Sequence, residues 1–210
     1  EVDKNGNPTS LESLAYYTYL IDPNKDNITY SNLILGVPVS QRETVKRSGT
    51  SKQLNMVFAG NYKDRLYIGG NLAFSFLKYK QQRTYEEVML TPNTFKMLSF
   101  LLDDQLETKG TGMNLSVGVL YRFVDWFRLG VSFQTPTYYF TVSEVYNTSL
   151  TSHFDNFKLS TGDYLTQVNA KMPSGSFSYQ LLTPFKASVG MAFFMNKNGF
   201  ISADVDYVNY

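Results

Sequence analysis

The stretch GTGMNLSVGVLYRFVDWFRLGVSFQTP, Gly110 to Pro136, decides the fold class. From Met113 to Phe123 the odd positions are Met, Leu, Val, Val, Tyr and Phe, and the even ones are Asn, Ser, Gly, Leu and Arg. After Val124-Asp125-Trp126 the alternation restarts: Phe127, Leu129, Val131 and Phe133 are apolar, while Arg128, Gly130, Ser132 and Gln134 are small or polar. Period-two patterning over this length predicts strands with one apolar and one polar face. The short break predicts a tight hairpin that makes the two strands antiparallel neighbours. The fold then turns on what meets the apolar face, a second sheet or lipid.

The same pattern recurs on both sides. Met56, Phe58, Gly60 and Tyr62 share a face before a tight turn at Lys63-Asp64, and Leu66, Ile68, Gly70, Leu72, Phe74 and Phe76 share one after it. Toward the end, Ala187, Val189, Met191, Phe193 and Met195 alternate with Lys186, Ser188 and Gly190. Asn196-Lys197-Asn198-Gly199 then predicts a hairpin turn. Ile201, Ala203, Val205 and Tyr207 alternate with Ser202, Asp204 and Asp206 in a last strand. Asn27 to Val39 is a weaker strand candidate, and Asp22 to Asn27 reads as a turn, since it lacks the glycine and glutamate of a calcium loop.

Two segments predict helices. Thr9 to Glu12 has capping-box spacing and opens a short helix to about Leu20. Thr91-Pro92 resembles an N-cap followed by proline, and Phe95, Leu98, Leu101 and Leu102 follow at helical spacing before Gly110.

Composition narrows the class. The chain has 210 residues, 19 Lys+Arg against 18 Asp+Glu, no cysteine and one histidine, His153. The charge balance carries no nucleic-acid signal. Thiolate sites are excluded, and histidine-based zinc sites and Ser-His-Asp chemistry are disfavoured. His153 reads as a loop surface residue. No Gly-x-Ser-x-Gly, Walker or Rossmann pattern appears, so the reading is a non-enzyme without a cofactor. Aromatic residues make up 16%, with 16 Tyr, 16 Phe and one Trp, which suits aromatic girdles. No apolar run reaches the ~18 residues of a transmembrane helix, but barrel strands need only ~9–11 and alternate in polarity. The polar start, EVDKNGNPTS, has no signal-peptide core, so the sequence reads as a mature or truncated segment.

The connections predict an orientation. Turns at Lys63, Asp125 and Lys197 are short, while Lys78–Lys109 and Glu144–Gly175 are long. Outer-membrane barrels segregate loop length in this way, with short turns at the periplasmic end and long loops outside. Trp126 sits in one of the short turns, where an interfacial aromatic is expected. About six strands are well patterned, fewer than the ~8 of the smallest outer-membrane barrels, so the strands read as part of a larger barrel.

Three blocks carry a family resemblance: FAGNYKDRLYIGGNLAF (Phe58 to Phe74), GMNLSVGVLYRFVDWFRLGVSFQTP (Gly112 to Pro136) and LLTPFKASVGMAFFMNKNGFISADVDYVNY (Leu181 to Tyr210). Together with SLAYYTYLIDP near the start, they resemble the FadL/TodX-type outer-membrane transport proteins, in the Bacteroidetes form often labelled hemin receptor. The resemblance implies a barrel of about 14 strands that passes long-chain fatty acids or other hydrophobic compounds across the outer membrane of a Gram-negative bacterium. The family's hatch, with its Asn-Pro-Ala-type motif, has no counterpart in this sequence. No His/Tyr axial pair supports hemin.

The expected fold is therefore all-β: a segment of an antiparallel up-and-down transmembrane β-barrel with short helices in extracellular loops. Residues 1–210 read as part of one domain, with helix-bearing loop segments at 1–28 and 84–110 and a long extracellular loop at 144–175. With the apolar faces on lipid, Arg122, Arg128, Ser132, Gln134, Lys186, Asp204 and Asp206 face the lumen. Arg128 or Lys186 is then a candidate contact for a substrate carboxylate; the alternative is a structural charge network with Asp204 and Asp206. Phe95, Leu98, Leu101 and Leu102 are candidates for an apolar capture groove, or for packing on the barrel rim. The expected partners are a hydrophobic small molecule and outer-membrane lipid or detergent, with no nucleic acid and no assigned protein partner. Competing readings are a barrel that docks secretion or assembly machinery, a soluble β-sandwich and a small closed barrel.

Overall fold

The computed structural model describes residues 2–23, 30–32, 36–195 and 198–209. Strand makes up 74% of the chain and helix 4%, so the all-β expectation holds. The single described helix, α1 (Leu11–Tyr17), is followed by short strands β1 (Ile21–Pro23) and β2 (Tyr30–Asn32), which pair antiparallel. The other strands are β3 (Val39–Tyr62), β4 (Leu66–Met89), β5 (Met97–Val124), β6 (Phe127–Gln134), β7 (Tyr138–Lys158), β8 (Tyr164–Lys171), β9 (Gly175–Leu182), β10 (Lys186–Phe194) and β11 (Phe200–Val208). Among the described residues they form one nine-stranded sheet in the order β11-β10-β6-β5-β4-β3, with β7 pairing β5, β8 and β9.

The central hairpin forms as the alternation predicts. β5 ends at Val124 and β6 starts at Phe127, leaving Asp125-Trp126 as the loop. The β3–β4 turn also falls where expected. Lys63 and Asp64 both take φ of +52°, the pair of left-handed residues that a type I′-like hairpin turn requires. Asn61 makes this affordable without glycine: its side chain donates to Asp64 Oδ1 at 2.6 Å and accepts from the Asp64 N–H at 3.0 Å.

The long connections correct the sequence reading. Residues 84–110 are not a helix-bearing loop: β4 runs to Met89, β5 begins at Met97, and the turn between them is short. The helical spacing of Phe95, Leu98, Leu101 and Leu102 is overridden by antiparallel pairing, which satisfies the same backbone groups across strands. Asn93 fixes the turn by donating to the Met97 carbonyl at 2.7 Å and accepting from the Met97 N–H at 3.0 Å. Residues 144–175 are likewise not a long loop, since β7 and β8 form a hairpin closed around Gly162. The expected asymmetry of loop length is therefore absent. Most of the expected Asp22–Asn27 turn (24–27), part of Asn27–Val39 and Asn196-Lys197 lie outside the described residues. The β10–β11 register from Phe194↔Phe200 onward still makes the last two strands a hairpin.

α1 starts one residue later than predicted. Its N-cap is Ser10, in a reciprocal capping box with Ser13, rather than Thr9 with Glu12. Leu14 and Thr18 on this helix are fully buried, and the Thr18 carbonyl accepts a hydrogen bond from Ser152 on β7 at 2.6 Å.

The chain divides into two compact units. The first comprises Glu1–Ser48, Tyr79–Glu107 and Glu144–Phe177; the second comprises Gly49–Lys78, Thr108–Ser143 and Ser178–Tyr210. The first has its core at Leu14, Met97, Leu150 and Phe154. Its β3 and β4 stretches are polar on both faces. On one of them, Arg83 bonds Glu43 at 2.7 Å and lies 3.7 Å from Asp104, which accepts from Thr148 at 2.8 Å.

The second unit is two-faced. β5, β6, β10 and β11 are held in one register, so side chains align in rows across four strands. One face carries the rows Val117–Phe133–Ala187–Tyr207, Val119–Val131–Val189–Val205 and Tyr121–Leu129–Met191–Ala203. The four valines are 45%, 51%, 47% and 72% exposed, so nothing among the described residues covers them. A contiguous apolar face of this extent marks an interaction surface.

Two strands in this unit are broken by Thr-Pro. Thr135-Pro136-Thr137 separates β6 from β7, and Thr183-Pro184-Phe185 separates β9 from β10. Proline removes a ladder donor, and threonine hydroxyl oxygens at the breaks accept from backbone N–H groups there. The Thr137 N–H donates to Thr183 Oγ1 at 2.8 Å, and the Leu115 N–H donates to Thr135 Oγ1 at 3.0 Å. Buried Asn114 donates to Thr137 Oγ1 at 2.9 Å. Here β5 and β7 approach so closely that a Cβ on Gly112 would lie 2.7 Å from the Tyr138 carbonyl oxygen and 3.0 Å from the Tyr139 Cα. These are backbone atoms and cannot step aside. Gly112→Ala is expected to cost about 1–3 kcal/mol, whereas Gly60→Ala, which meets nothing within 4 Å, should be near neutral. Urea midpoints of the two variants against the parent check this, and equal midpoints would refute the close approach.

Candidate functional site

The face of the second unit opposite the valines carries short side chains. Its rows read Gly118–Ser132–Ser188–Asp206, Leu120–Gly130–Gly190–Asp204 and Arg122–Arg128–Ala192–Ser202. Small residues at the centre and longer ones at the margins make a trough, with a cavity volume of ≈ 850 Å³ that extends to Gly60, Tyr67 and Gly69. Gly130 and Gly190 face each other across β6 and β10. A Cβ on Gly130 would meet the Leu120 side chain at 3.4 Å and one on Gly190 the Asp204 Cβ at 3.6 Å, so their bareness keeps the floor low.

Charge is arranged unevenly around this floor. Lys186 Nζ lies 2.8 Å from Asp206 Oδ2, and Ser188 donates to Asp206 Oδ1 at 2.5 Å. Both partners of the ion pair are more than 40% exposed, so solvent screens the pair and it adds little to stability. Its effect is positional: the Lys186 ammonium is already held by a carboxylate. For Lys186, the geometry matches the structural network that the sequence left as the alternative to substrate contact.

Arg128 differs. Its guanidinium carbon stands 4.3 Å above the Phe194 ring. Its Nε is buried and has no hydrogen-bond partner among the described residues. Its cross-strand neighbour Arg122 is instead tied to Asp125 in the hairpin loop at 2.5 Å. A planar cation braced on an aromatic face, with an N–H donor still to be satisfied, suits a carboxylate or another anionic oxygen.

The four apolar candidates do not come together. Leu98 and Leu102 lie on one face of β5 and Leu101 on the other, because a strand alternates where a helix would not. Phe95, in the turn before β5, packs at a tilt against Phe157 with ring centroids 5.8 Å apart. No helical capture stripe exists among the described residues. His153 is on β7 rather than in a loop, with Nδ1 3.4 Å from Ser99 Oγ. Asp103 and Asp104 occupy opposite faces of β5. Asp103 accepts from Gln82 at 2.8 Å and Gln105 at 2.6 Å.

A smaller, polar concavity of ≈ 330 Å³ lies in the first unit, lined by Lys46, Lys80, Gln82, Gln105 and Asn147 among others. Nearby, Glu43 holds the Arg83 guanidinium above its usual pKa range, and the Glu87 carboxylate, which accepts from the Tyr85 phenol, pushes that phenol up. Among the described residues no group of three His, Cys, Asp or Glu side chains is placed to hold a metal ion.

Sequence reasoning missed the partners that make Arg128 distinctive. Phe194 belongs to the polar face by parity, although its neighbours Phe193 and Met195 read as the signal. The Thr-Pro dipeptides were visible, but only pairing shows that Thr135, Thr137 and Thr183 join the breaks. No family model matches the chain, and no curated protein sequence matches it.

Proposed function

We propose that the second unit is part of the lipid-facing wall of an outer-membrane β-barrel of the FadL/TodX type, and that the protein passes hydrophobic small molecules with an anionic end, such as long-chain fatty acids. The observation that carries the reading is the two-faced register of β5, β6, β10 and β11, with exposed valine, leucine and aromatic rows on one side and glycine, serine and charge on the other. In water such a face is an aggregation hazard; in lipid it is the required surface.

Length supports the same reading. On β5 the apolar alternation runs from Met113 to Phe123, matching the ~9–11 residues of a tilted membrane strand. Aromatic rings gather at the hairpin end: Tyr121 and Phe123 have centroids 4.7 Å apart, Phe127 and Phe193 4.9 Å, and Trp126 stacks on Phe193 at 6.1 Å. Rings of this kind favour the interface between lipid and water. A Gram-negative outer membrane is the setting in which such barrels work, and further strands would close the wall.

In this reading the trough faces the lumen. The ligand's apolar part lies along the low glycine floor, and its anionic oxygen accepts from Arg128 while Phe194 braces the guanidinium from below. Lys186 stays with Asp206. The passage is passive and makes no covalent bond.

Two experiments test this. Val131→Lys puts a charge in the middle of the apolar face and should destabilise the chain folded in phosphatidylcholine vesicles by about 2–4 kcal/mol, while Ser132→Lys on the opposite face should change the urea midpoint little. A chain that is monodisperse without detergent and indifferent to Val131→Lys would sink the membrane assignment. Arg128→Met should weaken binding of a fluorescent fatty acid roughly tenfold or more and leave binding of the corresponding methyl ester unchanged. Equal losses for acid and ester would remove Arg128 as the carboxylate contact.

A further inference from the structure

The polar face of β11 carries two carboxylates, and register gives them different surroundings. Asp206 stands across from Ser188 and is held by the Lys186 ammonium and the Ser188 hydroxyl. Asp204, the next residue of the same face, stands across from Gly190. It is exposed, and among the described residues it makes no ion pair or hydrogen bond. The cause is local. Gly190 has no side chain to reach it, and a Cβ on that glycine would meet the Asp204 Cβ at 3.6 Å. Asp204 thus keeps its carboxylate oxygens open to the trough that it lines.

The trough therefore holds two unmatched charges of opposite sign. Arg122 is tied to Asp125 and Lys186 to Asp206, which leaves Arg128 and Asp204. These two do not pair with each other. Arg128 stands across from Ala192, Ala192 across from Ser202, and Asp204 lies two residues beyond Ser202. Two strand spacings across and two residues along put their backbones about 12 Å apart along the sheet. The strand between them presents only the Ala192 methyl and the bare Gly190. A ligand whose anionic oxygen meets Arg128 can lay its chain over these small residues toward Asp204. An ionised carboxylate there accepts hydrogen bonds and donates none.

We infer that Asp204 selects ligands with a hydroxyl on the chain, at a distance from the anionic end: hydroxylated fatty acids in preference to plain ones. The inference rests on the transport reading above and deepens it by naming the substrate class. A plain alkyl chain lying against Asp204 strips water from a carboxylate without replacing its hydrogen bonds, which is unfavourable. A hydroxyl replaces one of them, and a hydrogen bond to an ionised acceptor is roughly twice as strong as a neutral one. A hydroxyl also suits the trough better than an ammonium group, because a neutral group loses less hydration on passing over an apolar floor.

The test compares oleic acid with ricinoleic acid, the same chain bearing one mid-chain hydroxyl, on the whole chain folded into phosphatidylcholine vesicles. Affinity is read by displacement of a fluorescent fatty acid, corrected for the partition of each acid into protein-free vesicles. The parent should bind ricinoleic acid roughly tenfold more tightly than oleic acid. Asp204→Ala should abolish this preference by weakening ricinoleic acid alone, and its retained binding of oleic acid shows that the variant is folded. Asp204→Asn, which keeps an acceptor oxygen, should retain part of the preference. Equal affinity of the parent for the two acids would overturn the inference, and so would a preference that survives Asp204→Ala. Tighter binding of the corresponding mid-chain amine than of ricinoleic acid would overturn the choice of a hydroxyl.

Arg128→Met, measured alongside, separates the two levels. A parent that binds neither acid, or binds both without dependence on Arg128, fails the transport reading itself. Binding of oleic acid that depends on Arg128 but gains nothing from the hydroxyl sinks only the role of Asp204.

Discussion

The structure depends on one constraint, the shared register of β5, β6, β10 and β11. A strand's side chains alternate with period two, so a slip of one residue would exchange its faces. Here four strands keep step over seven consecutive positions, from Ser116 to Arg122 on β5 and from Lys186 to Ala192 on β10. The result is a row of four valines on one side and paired glycines on the other. Everything functional follows from this locking. The trough is low because Gly130 meets Gly190, and the apolar face is continuous because no polar residue falls out of phase.

Much of this was legible in the sequence because alternation is a local signal. The hairpins at Lys63-Asp64 and Asp125-Trp126 fall where punctuation and pattern place them. The failures share one cause. Phe95, Leu98, Leu101 and Leu102 have helical spacing, and Thr91-Pro92 resembles a helix start, yet long-range pairing makes this the beginning of a 28-residue strand. Likewise Glu144–Gly175 is rich in Ser, Thr and Asn and lacks clean alternation, but it pairs as β7 and β8. Where both faces of a strand are polar, as in the β3 and β4 portions of the first unit, no period-two contrast exists to be read. The sequence argument from unequal loops therefore had the wrong premise.

The candidate site was half legible. Arg128 and Lys186 are both cations on the polar face, and sequence treats them alike. Geometry separates them: Lys186 has Asp206 at 2.8 Å, while Arg128 has Phe194 beneath it and a buried Nε without a partner. The difference lies in which residue sits diagonally across the neighbouring strand, and that cannot be known before the register is.

The sheet's two outermost strands have a further consequence. Among the described residues, β3 pairs only with β4 and β11 only with β10, so each presents a row of unshared peptide groups. β3 guards itself unevenly. Arg42, Lys46 and Arg47 crowd its first half and Lys52 follows, whereas Leu54 to Tyr62 is uncharged, lacks proline and is exposed throughout. Such a segment templates intermolecular strand addition. In dilute buffer the chain's handling behaviour, including how readily it precipitates or forms fibrils, would be governed by these nine residues more than by its net charge.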